Sequence, residues 1–172
     1  ALTAAVPQGE LAGRALRDAR IGFTGVNRET GLVGEVEGTA FLEGHRISLH
    51  SGIDANAERL VLSDIAFSAP GTDLSGDLNR LASGLIEGRI ALNAPNIETA
   101  AALALVEARG AATANIRLTR GDGTQSAFVS ANLDNIVFGD IALRSGRIEG
   151  AIVNLFDVPT IDGTVEASGA SA

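Results

Sequence analysis

The sequence contains no Cys, Met, Trp or Tyr, and all thirteen of its basic residues are Arg. Without Cys there is no disulfide scaffold, no thiolate zinc site and no thiol nucleophile. Six Phe are the only aromatic residues, too few for a platform that stacks single-stranded bases. A formal net charge of −8 opposes a polyanionic partner, since phosphate binding rests on a positive field. These features exclude nucleic acid as the expected partner. No apolar run approaches the ~20 residues of a membrane-spanning helix, and no secretory signal pattern is visible. There is no G-x-x-x-x-G-K loop, no G-x-G-x-x-G after a strand and no G-x-S-x-G elbow.

The chain has 172 residues, of which 45% are hydrophobic. That suits one domain, or one segment of a repetitive array, with a sizeable apolar surface to bury. It opens in mid-pattern, so an internal piece of a longer protein is expected. The 21 Gly sit singly inside alternating stretches, where they mark bulges, bends or close backbone approach.

The dominant period is two. Leu32, Gly34, Val36, Gly38, Ala40 and Leu42 fall on one face, against Glu35, Glu37, Thr39 and Glu43 on the other. The same alternation recurs around Ile86–Leu92, Ala112–Leu118, Ala127–Leu133, Ile148–Ile152 and Ile161–Ala167. It predicts strands with one wet and one apolar face. Pro70-Gly71-Thr72-Asp73 and Arg120-Gly121-Asp122-Gly123-Thr124 read as hairpin turns. An Ala-rich stretch after Pro95 predicts one short helix near 97–108, closed by Gly110 as a C-terminal cap. Residues Leu11 to Arg20 fit a strand or a short helix.

An internal repeat is expected at 59–92 and 135–169. Leu60–Phe67 matches Ile136–Leu143, Leu74-Ser75-Gly76 matches Ile148-Glu149-Gly150, and Ile86–Ile90 matches Ile161–Val165. A fainter copy starts at Leu16-Arg17-Asp18. Asp64 and Asp140 thereby become equivalent, and read as turn or bulge carboxylates kept by duplication rather than an acid pair. His45 and His50 are the only histidines. Their odd spacing puts them on opposite faces of one short strand, which does not make a metal site. Arg120-Gly121-Asp122 is read as turn chemistry, and the Ala-rich helix as a packed cap, since it lacks the basic face of a membrane-surface helix.

Short strands phrased apolar-x-Gly (Leu32-Val33-Gly34, Leu74-Ser75-Gly76, Ile148-Glu149-Gly150, Ile161-Asp162-Gly163), the Ala-rich helix followed by Gly110-Ala111-Ala112, and Ala131-Asn132-Leu133-Asp134-Asn135-Ile136 together resemble the repetitive periplasmic region of TamB-like proteins, in the wider AsmA-like group. The resemblance covers roughly residues 30–170. It implies an all-β segment with one short helix. The sheet would be elongated, curled and mainly antiparallel, a taco-like groove with an apolar concave face. It also implies a location in the Gram-negative periplasm, with the full-length protein anchored in the inner membrane. The implied role is phospholipid transport, outer-membrane protein assembly, or both. The implied partners are phospholipid acyl chains, neighbouring segments of the same chain and an outer-membrane barrel of the TamA type. No cofactor and no enzyme activity are implied.

The candidate groove-lining residues are Val36, Ile47, Leu49, Ile86, Ile90, Leu92, Ile116, Leu118, Val129, Ile148, Ile152, Ile161 and Val165. Three other readings compete. A structural β-solenoid stalk of adhesin or autotransporter type would have a closed dry core, but such coils repeat at ~20–30 residues. An enzyme on a solenoid scaffold would need the clustered Lys, Trp or Tyr that this chain lacks. A chaperone-like groove that receives strands at its edge is compatible with the same sheet.

Overall fold

Alternation at period two builds one antiparallel sheet. The structure, a computed structural model, describes residues 1–11, 14–29, 31–98, 101, 106–121, 123–155 and 157–171. The strands are β1 (Leu2–Leu11), β2 (Arg14–Arg28), β3 (Gly31–Leu42), β4 (His45–Ala55), β5 (Arg59–Ala69), β6 (Thr72–Leu81), β7 (Ile86–Ala94), β8 (Ala108–Gly121), β9 (Thr124–Phe138), β10 (Ile141–Val153) and β11 (Thr160–Ser168). Their spatial order is their sequence order, an eleven-stranded meander whose edges are β1 and β11. The sheet does not close into a barrel. Leu11 to Arg20, ambiguous in sequence, contributes to two strands.

Tight turns join the strands. Pro70 and Gly71 alone connect β5 to β6, with Gly71 at φ +72°; Pro presets the first turn residue and Gly supplies the positive φ. Between β8 and β9 Gly123 has φ +76°, and the Thr124 hydroxyl donates to the Gly121 carbonyl at 2.8 Å. Asp122 of the same expected turn lies outside the described residues.

Three strand residues adopt a left-handed conformation: Asp18 in β2, Asp64 in β5 and Asn135 in β9, with φ of +50°, +50° and +49°. Register shifts accompany each, between Arg17 and Arg20, between Leu62 and Ile65, and opposite Arg109/Ala111. Asp and Asn tolerate positive φ better than other residues with a Cβ, so these are β-bulges that bend and twist the strand.

The bulges correct the expected repeat. Leu60–Phe67 lies wholly inside β5, whereas Ile136–Leu143 is cut by the turn at Gly139 and Asp140. Asp64 is a bulge residue, and Asp140 is a turn residue. The residue that matches Asp64 in conformation is Asn135, and the shared phrase is Leu-x-Asp/Asn: Leu16-Arg17-Asp18, Leu62-Ser63-Asp64, Leu133-Asp134-Asn135. The faint copy at Leu16 thus carries the same backbone device. The Ile86 and Ile161 blocks do occupy comparable places, at the starts of β7 and β11.

The helix expected near 97–108 is corrected at its end. Residues 99, 100 and 102–105 lie outside the described residues; Glu98 and Ala101 are helical, and the Ala101 N–H donates to the Ile97 carbonyl at 2.8 Å. Ala108 already belongs to β8. Gly110 is no helix cap: at φ +121° it is a strand residue opposite the Asn135 bulge.

The sheet curls. The β3–β4 turn (Leu42, Glu43, His45) and the start of β8 (Ala108, Arg109) line one cavity of about 480 Å³. In a flat sheet, strands five places apart would be ~24 Å from each other. Glycine pairs permit close approach on the inside. A Cβ at Gly34 would sit 2.6 Å from Gly25 Cα, and the Phe23 ring lies over the pair. Gly150 and Gly163 repeat the arrangement at the other end of the sheet.

Two stability predictions follow from this backbone. Gly34→Val should lose about 1–3 kcal/mol through overpacking, whereas Gly38→Ala, whose Cβ would meet Leu49 Cβ at 3.6 Å and the Arg20 carbonyl oxygen at 3.8 Å, both ordinary contacts, should be nearly neutral. Asp64→Val should cost more than ~1 kcal/mol through its positive φ, and Asp64→Gly should not. Urea denaturation of the four variants reads both contrasts.

Candidate functional site

Register decides which side chains share a face, because directly paired residues project to the same side of a sheet. One row crosses all eleven strands: Ala4, Ile21, Gly38, Leu49, Phe67, Leu74, Leu92, Ala114, Ala131, Ile148 and Val165. Every member is apolar or Gly. A parallel row runs Gly25, Gly34, Ile53, Leu62, Leu78, Gly88, Leu118, Ala127, Ile152 and Ile161. The interleaved row on the opposite face reads Ala5, Arg20, Thr39, Ser48, Ser68, Asp73, Asn93, Thr113, Asn132, Arg147 and Glu166.

All thirteen residues expected to line a groove fall on the apolar face. Leu49, Leu92 and Ile148 belong to the first row, with Val165 at its edge. Leu118, Ile152 and Ile161 belong to the second. Ile90, Ile116 and Val129 form a third row with Ile65 and Gly76. Val36 pairs with Ser51, and Ile47 with Ala40, on the same side; Ile86 continues the alternation of Gly88 and Ile90. Ile161 and Val165 are 71% and 69% exposed on the edge strand β11, so they border the face rather than sit within it.

The expected set omits Leu74, Leu78, Ile53, Leu62 and Ile65, which also lie on this face, and sequence periodicity misses Ile21 and Phe67. The bulge at Asp18 moves the apolar parity of β2 from Leu16 to Ala19 and Ile21, and the one at Asp64 moves that of β5 from Leu62 to Ile65 and Phe67. The detectable signal is an Asp at the point where the apolar positions switch parity.

The face is dished near β1–β5. Ala4, Val6, Leu16, Ala19, Ile21, Ala40, Ile47, Leu49 and Phe67 line a shallow, almost wholly apolar hollow of about 350 Å³. Outside the bulges and turns, no Asp or Glu of the described strands lies on this face. The polar face is dished as well, as a twisted sheet must be along its other diagonal. Ser48, His50, Ser68, Asp73, Asn93 and Asn115 border one depression there, and Asp77, Arg89, Arg117 and Phe128 another. Cross-strand ion pairs stud that face: Arg89–Asp77 at 3.5 Å, Arg59–Asp54 at 3.1 Å and His50–Glu37 at 3.9 Å. All are exposed and contribute little to stability.

The histidines stand on opposite faces: His45 pairs with Leu42 and His50 with Glu37. The strand is longer than the short one expected: β4 continues past His50 to Ala55, so His50 lies within it. Among the described residues no group of three His, Asp or Glu is placed to hold a metal ion, and no helix is long and apolar enough to cross a membrane.

Three polar residues of the apolar face are buried, and each is bonded; the others, such as His45, Asn27 and Arg80, sit near strand ends. The Ser51 hydroxyl donates to the Gly52 and Ser63 carbonyls at 2.9 and 3.2 Å, across the β5 bulge. Thr72 donates to the Asn96 carbonyl at 3.0 Å. With Ala69 and Ala94 buried beside it, this ties the segment after β7 over the β5–β6 turn. At the other end of β7 the Gln125 amide accepts from the Ile86 N–H at 2.7 Å and donates to the carbonyls of Ile86 and Thr119 at 2.8 and 2.9 Å. It supplies the pairing that β8 does not give Ile86, since the β7–β8 ladder starts at Gly88.

Gln125→Leu leaves the half-buried Ile86 N–H and C=O unmatched, at a cost of about 1–3 kcal/mol. Amide exchange at Ile86 should quicken well beyond that at Ile90, which native-state hydrogen exchange would read. Comparison of the chain with protein-family models, curated proteins and solved structures returns no match.

Proposed function

We propose that the chain is a non-enzymatic periplasmic segment of an inner-to-outer-membrane bridge of the TamB/AsmA-like kind, whose apolar face carries phospholipid acyl chains. The observation that supports this reading is the unbroken apolar row across eleven strands. Ten inter-strand steps of ~4.8 Å give a path of ~50 Å. Its wall is aliphatic, with Gly and Ala where the sheet bends, so it offers no oriented pocket that would stop a sliding chain. Each methylene taken from water contributes ~0.8 kcal/mol, so two acyl tails are held without a headgroup site. The same reading gives the segment a supporting role in outer-membrane protein assembly, with an outer-membrane barrel of the TamA type as partner. A closed structural stalk fits less well, because the sheet does not close into a barrel and leaves an accessible apolar hollow.

The test is gentle extraction of the purified protein followed by lipid mass spectrometry, beside Ile90→Asp/Ile116→Asp. These two residues face each other across β7 and β8. Stoichiometric phospholipid should accompany the parent chain and vanish in the variant, with the β-sheet circular dichroism retained. A well-folded parent chain without lipid would refute the conduit reading and favour a dry or protein-binding face.

A further inference from the structure

The polar face carries one arrangement that works against folding and that the apolar face does not explain. Asp77, Arg89, Arg117 and Phe128 stand side by side in one row across β6, β7, β8 and β9. Arg89 and Arg117 are thus directly opposite each other, where like charges repel. Arg89, Arg120 and Arg147 each have a carboxylate within 3.5 Å, on Asp77, Glu87 and Glu149. Arg117 has none among the described residues. Its other neighbour in the row is Phe128, 45% exposed. The row borders a depression of about 650 Å³, lined also by Asp64, Ser75, Asn115 and Ser130. Asp64 and Asp77 lie on its β5–β6 side and the arginines on its β7–β8 side. The Arg89 side chain is 81% exposed, so its pairing with Asp77 is weak and leaves its outer N–H groups open.

We propose that this depression binds an acidic sugar residue of a glycan, its carboxylate held between Arg89 and Arg117. The site lies on the face opposite the apolar one, so the inference stands whether or not lipid is the cargo. A guanidinium takes a carboxylate through two parallel N–H donors, and a carboxylate between two guanidiniums turns their repulsion into a clamp. A sugar ring has an apolar C–H face and a rim of hydroxyls. Phe128 offers an apolar ring to the first. The Ser75, Asn115 and Ser130 side chains and the acceptors Asp64 and Asp77 serve the second. An extended peptide is disfavoured, because β6 to β9 are interior strands and strand addition needs an unpaired edge. A polyphosphate is disfavoured by Asp64 and Asp77 beside the clamp and by the net charge of −8. The depression continues into the one bordered by His50, Ser68, Asp73 and Asn93, and the two share Ala66, Ser75, Ala91 and Asn115. This shared floor is small and uncharged, so the site extends to a second, neutral sugar of the same chain.

The test is an NMR titration of the backbone amides with trigalacturonate, beside neutral galactotriose and the peptide triglutamate. Trigalacturonate should shift the amides around Arg89, Arg117 and Phe128 and bind at least tenfold more tightly than galactotriose. Arg117→Gln should weaken it tenfold or more, and Phe128→Ala several-fold. Arg28→Gln, which removes the same charge at the far end of β2, should leave it unchanged. Without ligand, Arg117→Gln should melt no lower than the parent chain, since it removes the repulsion, and this separates lost binding from lost folding. Triglutamate bound as tightly as trigalacturonate would overturn the sugar in favour of an acidic peptide. Galactotriose bound as tightly, or an undiminished response in Arg117→Gln, would overturn the arginine clamp. No shift at these amides with any of the three probes at millimolar concentration would overturn the site itself.

Discussion

Everything in this molecule depends on side-chain parity being kept across ten successive antiparallel pairings. A slip of one residue in any pairing would send every later apolar side chain to the wet face. Two-residue turns such as Pro70-Gly71 guard several pairings against this, and the bulges act where a strand would otherwise run out of phase. At Asp18 and Asp64 one extra residue is absorbed, and the apolar side chains beyond it return to the common face. A carboxylate in the middle of a strand is thus a phasing device, and its chemistry is conformational rather than catalytic.

Curvature is the second consequence. A sheet that bends toward its apolar face crowds the side chains there, and the crowding is relieved where Gly pairs with Gly. The Phe23 ring covers one such pair and restores the apolar surface that the missing side chains remove. The polar groups buried in this face stand where backbone groups at a bulge or a strand end have no ladder partner. Ser51, Thr72 and Gln125 satisfy them at no cost in exposed polarity.

The resulting surface has a physical character that favours passage over recognition. It is long, aliphatic and free of carboxylates, with charges confined to the other face and to the rims. Such a wall discriminates poorly among apolar chains and holds none of them in one register.

Composition and period two by themselves determined the all-β class, the single apolar face and much of its membership in β3, β4 and β7–β10, because strand alternation is a local property written every second residue. They also determined the Pro70-Gly71 turn, where the residue types dictate the backbone angles. The place of Ile21 and Phe67 on that face was decided only by tertiary structure, since a bulge shows itself in the partner strand's register and not in the strand's own spelling. The same holds for the repeat: Ile136–Leu143 looks like Leu60–Phe67 in letters, but a turn at Gly139 and Asp140 divides it, and Asn135 takes the role of Asp64. The burial of Gln125 was equally out of reach, because the Ile86 backbone groups it satisfies lie 39 residues away and come beside it only when β7, β8 and β9 are side by side.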